Sequence, residues 1–418
     1  NRVKATLIVV PKCVITQWSD ILKKIFSEQS VYVHHGVKRV KTLEELKKKL
    51  TKKVNFVVTT YGMLVQRRRK NVPMSIEGTV IQQYDWDRMV CDEIHLMRNR
   101  HTRQSKAVQK VSAKIVWGLT GTPVQNSISD LKTLYKCLKF PSSYFESGTD
   151  DCYAYLNRKY ILRRTKREVV DMVGEIPDID INVVKVPFRT KIEKKLYREI
   201  CNQIIKLEDD MCAPPFAIIE KYLRLRQICI HPQIYLDGTS KKFDVALKPW
   251  NKISTKFQVL SEMMEKHIEE KSLVFCYFKT EMDMLQFHLE SIGWKVFRIE
   301  GGQTLDTRLE QIKQAKECGE KTVVLIQIQA GSVGMNLQFA SRVYYTSPNW
   351  NPSVEIQANA RAHRIGQERP VKVVKLVIQD HDTVEDKILE RQIMKRGIMA
   401  RVLRDEELLD NGNEVMVR

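Results

Sequence analysis

Two adjacent acids and a histidine end an apolar stretch in the first quarter of the chain. Residues 88–99 read RMVCDEIHLMRN, so Asp92, Glu93 and His95 directly follow residues typical of a buried strand. In an open parallel α/β sheet, ligands bind beyond the carboxyl ends of the strands. A carboxylate at that place can hold Mg²⁺, and an adjacent Glu can polarise an attacking water. A strand that simply ends in polar residues would show the same D-E-x-H pattern, so this motif is weak evidence unless other motifs accompany it.

A second polar cluster follows the next predicted helix and strand. In LTGTPVQN (119–126), Thr120 and Thr122 offer hydroxyl groups beside a turn that Gly121 permits. If both strands belong to one parallel sheet, this cluster lies at the same edge as the two acids.

A third cluster, EIQANARAHRIGQ (355–367), stands far downstream. Gln357, Arg361 and Arg364 are spaced i, i+4 and i+7, which predicts one face of a helix. Two arginines on one face could reach a triphosphate held by the acids. Guanidinium groups used in this way neutralise charge on a transferred phosphoryl group and are worth about 10³–10⁵ in rate. Taken alone, without the first two clusters, these residues would fit a solvated basic helix face better.

Two regions of the chain show the same pattern, in which short runs of β-branched residues are followed by helical stretches. Such alternation predicts α/β architecture, with parallel sheets covered by helices. The predicted strands are 5–11, 55–62, 88–93 and 114–123 in the first region, and 272–278, 295–301, 322–331, 342–348 and 371–378 in the second.

Between the two regions, from about residue 144 to residue 236, the sequence pattern is mostly helical. A polar loop (237–255) follows this segment. At roughly 150 residues per domain, 418 residues predict two or three domains. The predicted divisions are a first lobe at 1–143, a helical insertion and lobe-end segment at 144–236, a linker at 237–253, a second lobe with a C-terminal helix at 254–403, and a polar tail at 404–418.

Composition narrows the class of partner. Lys+Arg 70 against Asp+Glu 50 gives a net charge of +20, which suggests a polyanion such as nucleic acid, although charge alone fits a basic but inert surface equally well. No C-x-x-C pair occurs among the nine cysteines, and Cys229 and His231 have no second ligand cluster nearby, so we expect no zinc site. Scattered cysteines are typical of a reduced, intracellular protein. No apolar run approaches the roughly 20 residues needed to cross a membrane, so no membrane partner is expected.

These motifs carry a resemblance along nearly the whole chain. The sequence resembles the Swi/Snf-related ATPases, the DNA-translocating branch of helicase superfamily two. The combination of NWNP with HRIGQ is especially specific to that family. The ordered blocks are LIVVPKCVITQW (7–18), DEIH (92–95), LTGTPVQN (119–126), LRRTK (162–166), LRLRQICIHP (223–232), QAGSVGMNLQFASRV (329–343) and NWNPSVEIQANARAHRIGQ (349–367).

The resemblance implies two RecA-like lobes that bind ATP and Mg²⁺. By position, Asp92 would bind Mg²⁺ and Glu93 would be the base that orients water. The remaining roles it implies are coupling of nucleotide state to lobe closure by His95, Thr120 and Thr122, and completion of the ATP site by Gln357, Arg361 and Arg364.

The same resemblance implies a double-stranded DNA partner, with nucleosomes or other DNA-bound proteins as further candidates, and a nuclear location if the host is eukaryotic. Phosphate contacts of this kind position a protein without reading sequence. The residues implied in DNA contact are Pro11, Lys12, Thr59, Thr60, Gly331, Ser332, Gly334, Asn336 and Trp350.

One departure bears on activity: no G-x-x-x-x-G-K-[ST] phosphate loop occurs. In the family this loop precedes the strand matched here by ATLIVVP, so we expect the chain to be cut from something longer and to hydrolyse ATP poorly by itself. A DNA-binding scaffold without activity is the alternative. An RNA helicase of the same superfamily is a third possibility that the D-E-x-H box suggests and the NWNP…HRIGQ block disfavours.

Overall fold

A computed structural model of the chain contains two parallel β-sheets, one in each of two structural units. The first unit comprises Asn1–Arg163 and Ile398–Asp405, and the second comprises Arg164–Gly397 and Glu406–Arg418. The structure describes residues 4–37, 39–50, 54–66, 78–125, 127–145, 150–165, 168, 174, 176–208, 214–244, 247–331, 335–380, 382–403, 406–409 and 413–416.

The sheet of the first unit has five strands in the order β2-β3-β1-β4-β5, and every pair is parallel. Strand β1 is buried along its whole length, as expected for an apolar run covered on both faces. The strands are β1 (Thr6–Val10), β2 (Val31–His34), β3 (Phe56–Thr60), β4 (Trp86–Asp92) and β5 (Ala113–Leu119).

Helices cover this sheet on both faces, and two apolar clusters lie between helices and strands. The second of the helices begins at a capping box in which the Thr42 hydroxyl accepts the Glu45 amide N–H and the Glu45 carboxylate accepts the Thr42 N–H. The helices of the first unit are Ile15–Ile25, Leu43–Lys49, Arg103–Gln109, Ser129–Cys137 and Asp150–Tyr160.

Strand β5 ends the sheet and presents an uncovered apolar face. Ile115, Trp117 and Leu119 alternate along the strand and are 47%, 60% and 38% exposed. Val116, which points the other way, packs against the core. Within the part of the chain that the structure describes, this is the least covered strand of the sheet.

The sheet of the second unit has seven parallel strands in the order β12-β6-β11-β10-β7-β9-β8. Its central strands β7, β9 and β10 are almost wholly buried. The strands are β6 (Ile179–Pro187), β7 (Ser272–Cys276), β8 (Lys295–Ile299), β9 (Thr322–Gln327), β10 (Arg342–Tyr345), β11 (Val371–Gln379) and β12 (Asn413–Met416).

Helices accompany this sheet as well, and apolar clusters form the core of the unit. We call the helix Pro352–Ala362 the arginine helix and the helix Val384–Leu403 the C-terminal helix; the last residues of the latter, from Ile398, belong to the first unit. The other helices of the second unit are Lys191–Glu208, Pro215–Ile230, Pro232–Phe243, Thr255–Glu265, Lys279–Ser291, Leu305–Glu317 and Ile328–Gly331.

A fully buried ion pair ties several of these elements together. The Lys256 ammonium lies 2.6 Å and 2.7 Å from the two carboxylate oxygens of Glu385, and both side chains are 0% exposed. The ammonium also donates to the main-chain oxygens of Thr346 and Leu376, at 2.6 Å and 2.9 Å, while the Glu385 carboxylate accepts the Ile378 amide. Because its donors and acceptors are paired, this charge can stay away from water.

The predicted fold class and the nine predicted strands are confirmed, whereas the prediction that 237–255 is a loop is wrong in its first part, because the helix Pro232–Phe243 extends into it. The segment predicted to be mostly helical contains helices and, in addition, β6, and the predicted polar tail contains β12. The predicted domain boundaries stay predictions.

The helix in the predicted loop has a local explanation. The His231 ring accepts the Gln233 amide and so caps the helix, and proline follows at its first position. Gly238 reads as a turn residue in sequence, but a Cβ there would lie 2.1 Å from the Arg224 guanidinium. That glycine makes room for a side chain, and the Gly238 carbonyl accepts from Arg224 at 3.1 Å.

Eight of the nine cysteines are described, and all eight are free thiols. In the described residues we find no helix that combines the length and the apolar character needed to span a membrane.

Removing the buried ammonium should destabilise the second unit strongly. Lys256→Met leaves the Glu385 carboxylate buried without its partner, which costs about 3–5 kcal/mol. Adding Glu385→Leu to the same chain should recover part of the loss, since no lone charge then remains. Denaturant titration of the three proteins measures both effects, and equal midpoints for wild type and Lys256→Met would contradict the importance of the pair.

Acid should weaken the fold through His231. Burial, above all, lowers the pKa of this imidazole to about 4, against about 6.5 in an unfolded chain. Between those pH values the unfolded chain binds the extra proton, so the free energy of unfolding falls as pH falls, by about 3 kcal/mol at most. His231→Asn keeps a helix-capping acceptor and does not titrate. Urea unfolding from pH 7 to pH 4 should therefore give a shallower slope for His231→Asn, and parallel slopes would refute the assignment.

Candidate functional site

Strand β4 delivers the two acids to the carboxyl edge of the first sheet. It lies between β1 and β5, and Asp92 is level with Leu119 of β5. Thr120 therefore leaves the sheet directly beside Asp92, as the sequence predicted. The close approach of these segments needs Gly118, because a Cβ there would lie 2.9 Å from two carbon atoms of the Ile94 side chain.

Asp92 is held at both its side chain and its main chain. The Trp18 indole N–H donates to Asp92 Oδ2 at 2.8 Å, and the Tyr61 hydroxyl donates to the Asp92 carbonyl at 2.6 Å. Burial raises the pKa of the Asp92 carboxyl, and the Trp18 hydrogen bond opposes that rise. Sequence reasoning missed both partners, although Trp18 closes the VITQW block.

Glu93 has a left-handed backbone, with φ 51° and ψ 46°, which is uncommon for a residue with a side chain. Such a conformation costs on the order of 1–3 kcal/mol and is concentrated at functional sites. It ends β4 abruptly and starts the short 3-10 helix Ile94–Met97. The strained turn places the Glu93 carboxylate at the sheet edge.

His95 joins the acids to the threonine cluster. Its Nδ1 lies 3.1 Å from Glu93 Oε2 and 2.9 Å from Thr120 Oγ1, and the ring is buried. Thr120 Oγ1 in turn accepts the Thr122 amide at 3.1 Å. The structure thus brings together Glu93, His95, Thr120 and Thr122 in one connected chain of polar groups.

The donor set fits a hard cation. Asp92, Glu93 and the two threonines supply only oxygen atoms, which are the ligands that Mg²⁺ prefers. Glu93 Oε2 is buried and, among the described residues, accepts no hydrogen bond, since the His95 ring lies close to it but is not aligned to donate. A buried carboxylate oxygen left in this state can accept a hydrogen bond from a ligand or a water.

The loop after β5 is itself held in place. The Gln125 side chain donates to the Thr122 hydroxyl at 3.4 Å, and the Gln125 amide donates to the Asp130 carboxylate at 3.0 Å. All three side chains are buried. Gln125 stood inside the LTGTPVQN block without a predicted role, and Asn126 lies outside the described residues.

The DNA-contact candidates of the first unit differ in accessibility. Pro11 and Lys12 follow β1, and Lys12 is exposed in the short 3-10 helix Lys12–Val14. Thr59 is fully buried, and its hydroxyl donates to the His34 carbonyl at 2.9 Å, so the structure does not support a contact from its side chain to phosphate. Thr60 is 5% exposed, with Oγ1 3.5 Å from the His35 ring.

In the second unit, Gln357 and Arg361 lie on the arginine helix, but Arg364 does not. The prediction that all three share one helical face is wrong, because the helix ends at Ala362. His363 leaves helical geometry, with ψ 82°, and its Nε2 lies 2.6 Å from the Pro177 carbonyl. Arg364 is exposed in the turn that follows.

Gln367 fastens the end of this helix and was missed from sequence. Its side-chain amide donates to the carbonyls of Ala362 at 3.0 Å and Gln338 at 2.9 Å. A helix end leaves carbonyls without intrahelical partners, and Gln367 satisfies one of them. The last letter of HRIGQ therefore has a structural role.

The remaining candidates of the second unit lie around the same sheet edge. Trp350 is 37% exposed and meets Tyr222 edge to face, with ring centroids 6.5 Å apart. Asn336 Oδ1 accepts the Gln338 amide at 3.2 Å, and Gly331 ends a short helix. The predicted contacts of Ser332 and Gly334 fall outside the described residues. The predicted meeting of Glu93 with Arg361 stays a prediction.

Two family models match the chain. The first, described as SNF2-related domain, matches residues 1–234, and the second, described as helicase conserved C-terminal domain, matches residues 255–366.

The chain is also similar to curated proteins. The chain is 26% identical to DNA repair protein RAD5B of Arabidopsis thaliana, over 96% of this chain and 41% of that protein. It is 24% identical to the helicase-like transcription factor of Mus musculus, over 96% of this chain and 51% of that protein. The chain thus spans about half the length of these relatives.

Among solved structures, the Sulfolobus solfataricus SWI2/SNF2 ATPase core in complex with dsDNA matches 98% of this chain and 86% of its own, at 24% identity and a TM-score of 0.43. Because the SNF2-related domain model alone covers more than half of the 418 residues, the chain belongs to the SNF2-related family of helicase-like proteins.

Proposed function

We propose that the protein is an ATP-dependent motor on duplex DNA, which couples ATP hydrolysis to movement along DNA or to remodelling of protein–DNA complexes. The observation that carries the proposal is the connected cluster at the end of β4. There a strained Glu93 with a buried oxygen that accepts no hydrogen bond within the described residues meets His95, and through it Thr120. Strain and a polar group without a hydrogen bond cost free energy, so their coincidence supports a catalytic role.

The acids divide the work by their surroundings. Asp92 is fixed by Trp18 and Tyr61, which suits a carboxylate that holds Mg²⁺ in one place. When bound, Mg²⁺ neutralises negative charge on the phosphate groups. The Glu93 carboxylate, half-buried and aimed by its left-handed backbone, orients the attacking water and accepts its proton.

The loop after β5, which carries Thr120 and Thr122, is connected to the acid cluster through His95. A displacement of Glu93 would move the His95 ring, whose Nδ1 contacts both Glu93 and Thr120. Thr120 would pass the displacement to the Thr122 amide, which its hydroxyl accepts. Movement of the loop after β5 would couple nucleotide state to closure of the motor.

The second unit contributes cations in this proposal. Arg361, with Arg364 from the adjoining turn, neutralises charge on the phosphoryl group that is transferred. Gln357, which is uncharged, completes the ATP site as a hydrogen-bonding side chain. The two arginines therefore approach from different elements, since Arg361 lies on the arginine helix and Arg364 lies in the turn after it.

Duplex DNA is the proposed substrate track. The net charge of +20, the exposed Lys12 after β1 and the similarity to a DNA repair protein support a DNA partner. Nucleosomes or other DNA-bound proteins are the proposed targets of remodelling, and a nuclear location follows if the host is eukaryotic.

One alternative has an observation in its favour. The chain contains no G-x-x-x-x-G-K-[ST] loop, so a DNA-binding scaffold without ATP turnover is a second candidate function. DNA-dependent ATP turnover by the full-length protein separates the two, because a scaffold would bind duplex DNA and show no turnover. Comparing stimulation by duplex DNA and by duplex RNA tests the RNA helicase alternative in the same assay.

Glu93→Gln should abolish most ATP turnover in the full-length protein. The amide cannot accept the proton of the attacking water, and loss of a general base costs about 10²–10⁴ in rate. Glu44→Gln, at an exposed position of the same unit, is the matched control and should keep wild-type turnover. Steady-state phosphate release with saturating duplex DNA measures both. Normal turnover in Glu93→Gln would remove the basis of the site assignment.

Lys12→Gln should weaken DNA binding through loss of one phosphate contact. For a phosphate-bound protein, the logarithm of the association constant falls linearly with the logarithm of salt concentration, and each lost contact lowers that slope by about 1. Lys24→Gln, an exposed lysine on the first helix, is the control and should leave the slope unchanged. Fluorescence anisotropy with duplex DNA, at salt concentrations from about 50 to 200 mM, measures the slope. Equal slopes for wild type and Lys12→Gln would place Lys12 away from DNA.

A further inference from the structure

The arginine helix has two opposite faces, and one of them is clamped inside the second unit. Successive residues of an α-helix turn by about 100°, so Glu355 and Gln357 point in nearly opposite directions, while Arg361 lies close to the direction of Gln357. Glu355 is 0% exposed. The inward carboxylate therefore sets the rotation of the helix about its axis, and with it the direction of Gln357 and Arg361.

The Glu355 carboxylate is held from three sides. Oε2 forms an ion pair with the buried Lys375 ammonium of β11 at 2.9 Å. Oε1 accepts a hydrogen bond of 2.6 Å from the main-chain N–H of Asn349, which lies in the loop that leads into the helix. The third partner is Gln392 of the C-terminal helix, whose amide donates to Oε1 at 2.8 Å.

Gln392 reaches this carboxylate from an element with its own firm anchor. It is 1% exposed, and its amide also donates to the Asn349 carbonyl at 2.5 Å. Glu385, seven residues earlier on the same helix, faces the same way because seven residues make nearly two turns. Lys256 holds Glu385, as described above, so the inward stripe of the C-terminal helix has one residue fixed to the core and one fixed to Glu355.

The C-terminal helix makes one more contact with the approach to the arginine helix. Lys395 Nζ donates to the Trp350 carbonyl at 2.8 Å, one residue after Asn349. The two contacts together hold the loop between β10 and the arginine helix. Apolar packing of the C-terminal helix would not require these hydrogen bonds, so they indicate that the position of the loop is fixed.

We propose that Gln392 is a positioning residue for ATP hydrolysis: by holding Glu355 it sets the rotation of the arginine helix, and hence the placement of Gln357 and Arg361. The inference rests on the proposed function, in which these two side chains act on ATP. The C-terminal helix thereby acts on hydrolysis through the arginine helix.

The first test needs no nucleotide. Gln392→Met keeps the length of the side chain and removes both hydrogen bonds. Hydrogen exchange of the main-chain amides of residues 353–362 should then be faster than in wild type, because the helix can open more readily. Two controls lie on the same helix: Arg391→Met changes an exposed neighbour, and Ile388→Val trims a buried apolar side chain without touching the clamp. Both controls should exchange at the wild-type rate over 353–362.

The second test uses DNA-stimulated ATP turnover by the full-length protein. Misplacing a catalytic group by about 1 Å can cost about 10²-fold, and we expect about a tenfold fall in kcat for Gln392→Met. The KM for ATP should change by less than about twofold, because Arg361 acts mainly on charge that develops during the reaction. Ile388→Val should keep wild-type kcat even though it lowers stability.

A double variant separates positioning from a general structural effect. If Gln392 acts through Arg361, then Gln392→Met combined with Arg361→Ala should be no slower than Arg361→Ala alone. Losses that multiply, or wild-type kcat and wild-type exchange in Gln392→Met, would overturn the inference. Full turnover in Arg361→Ala would instead overturn the proposed function, while the exchange measurement would still report on the clamp.

Discussion

The all-parallel order of the first sheet is the constraint on which its functional site depends. Every strand of such a sheet ends at the same edge, so residues far apart in sequence meet there without long loops. With β1, β4 and β5 as neighbours, the segments after Val10, Asp92 and Leu119 leave the sheet side by side. A change in strand order would scatter these segments even if each strand still formed.

The second unit uses buried charge where the first uses strand order. Lys256 with Glu385 and Lys375 with Glu355 are each almost wholly buried. Hydrophobic contacts tolerate small rotations of a helix, whereas a buried ion pair with fixed donors and acceptors does not. Both pairs involve helices that frame the sheet, and one of those helices carries Gln357 and Arg361. Burying these charges costs free energy, and in return the ion pairs fix the orientation of the helices that carry them.

Sequence reasoning reached the fold because strands of apolar, β-branched residues alternate with helices over most of the chain. It also placed Asp92, Glu93, His95, Thr120 and Thr122 at one edge, since their positions relative to the predicted strands are local. It failed at Arg364, because the spacing i, i+4, i+7 assumes that a helix continues, and the turn of His363 toward Pro177 has no signal in the spacing. Partners such as Trp18 and Gln392 were out of reach for another reason: each is distant in sequence from the carboxylate it holds, by 74 and 37 residues.

Strand β5 also governs how the molecule behaves in solution. An outer strand with open hydrogen-bonding groups is a template for pairing with another chain, and proteins usually blunt such strands with charge, proline or a bulge. Here the outward face carries Ile115, Trp117 and Leu119 instead, and Lys114 is the only charged residue of the strand. This strand should therefore contribute to self-association at high concentration, and Trp117→Lys would reduce that contribution without changing any residue of the acid cluster.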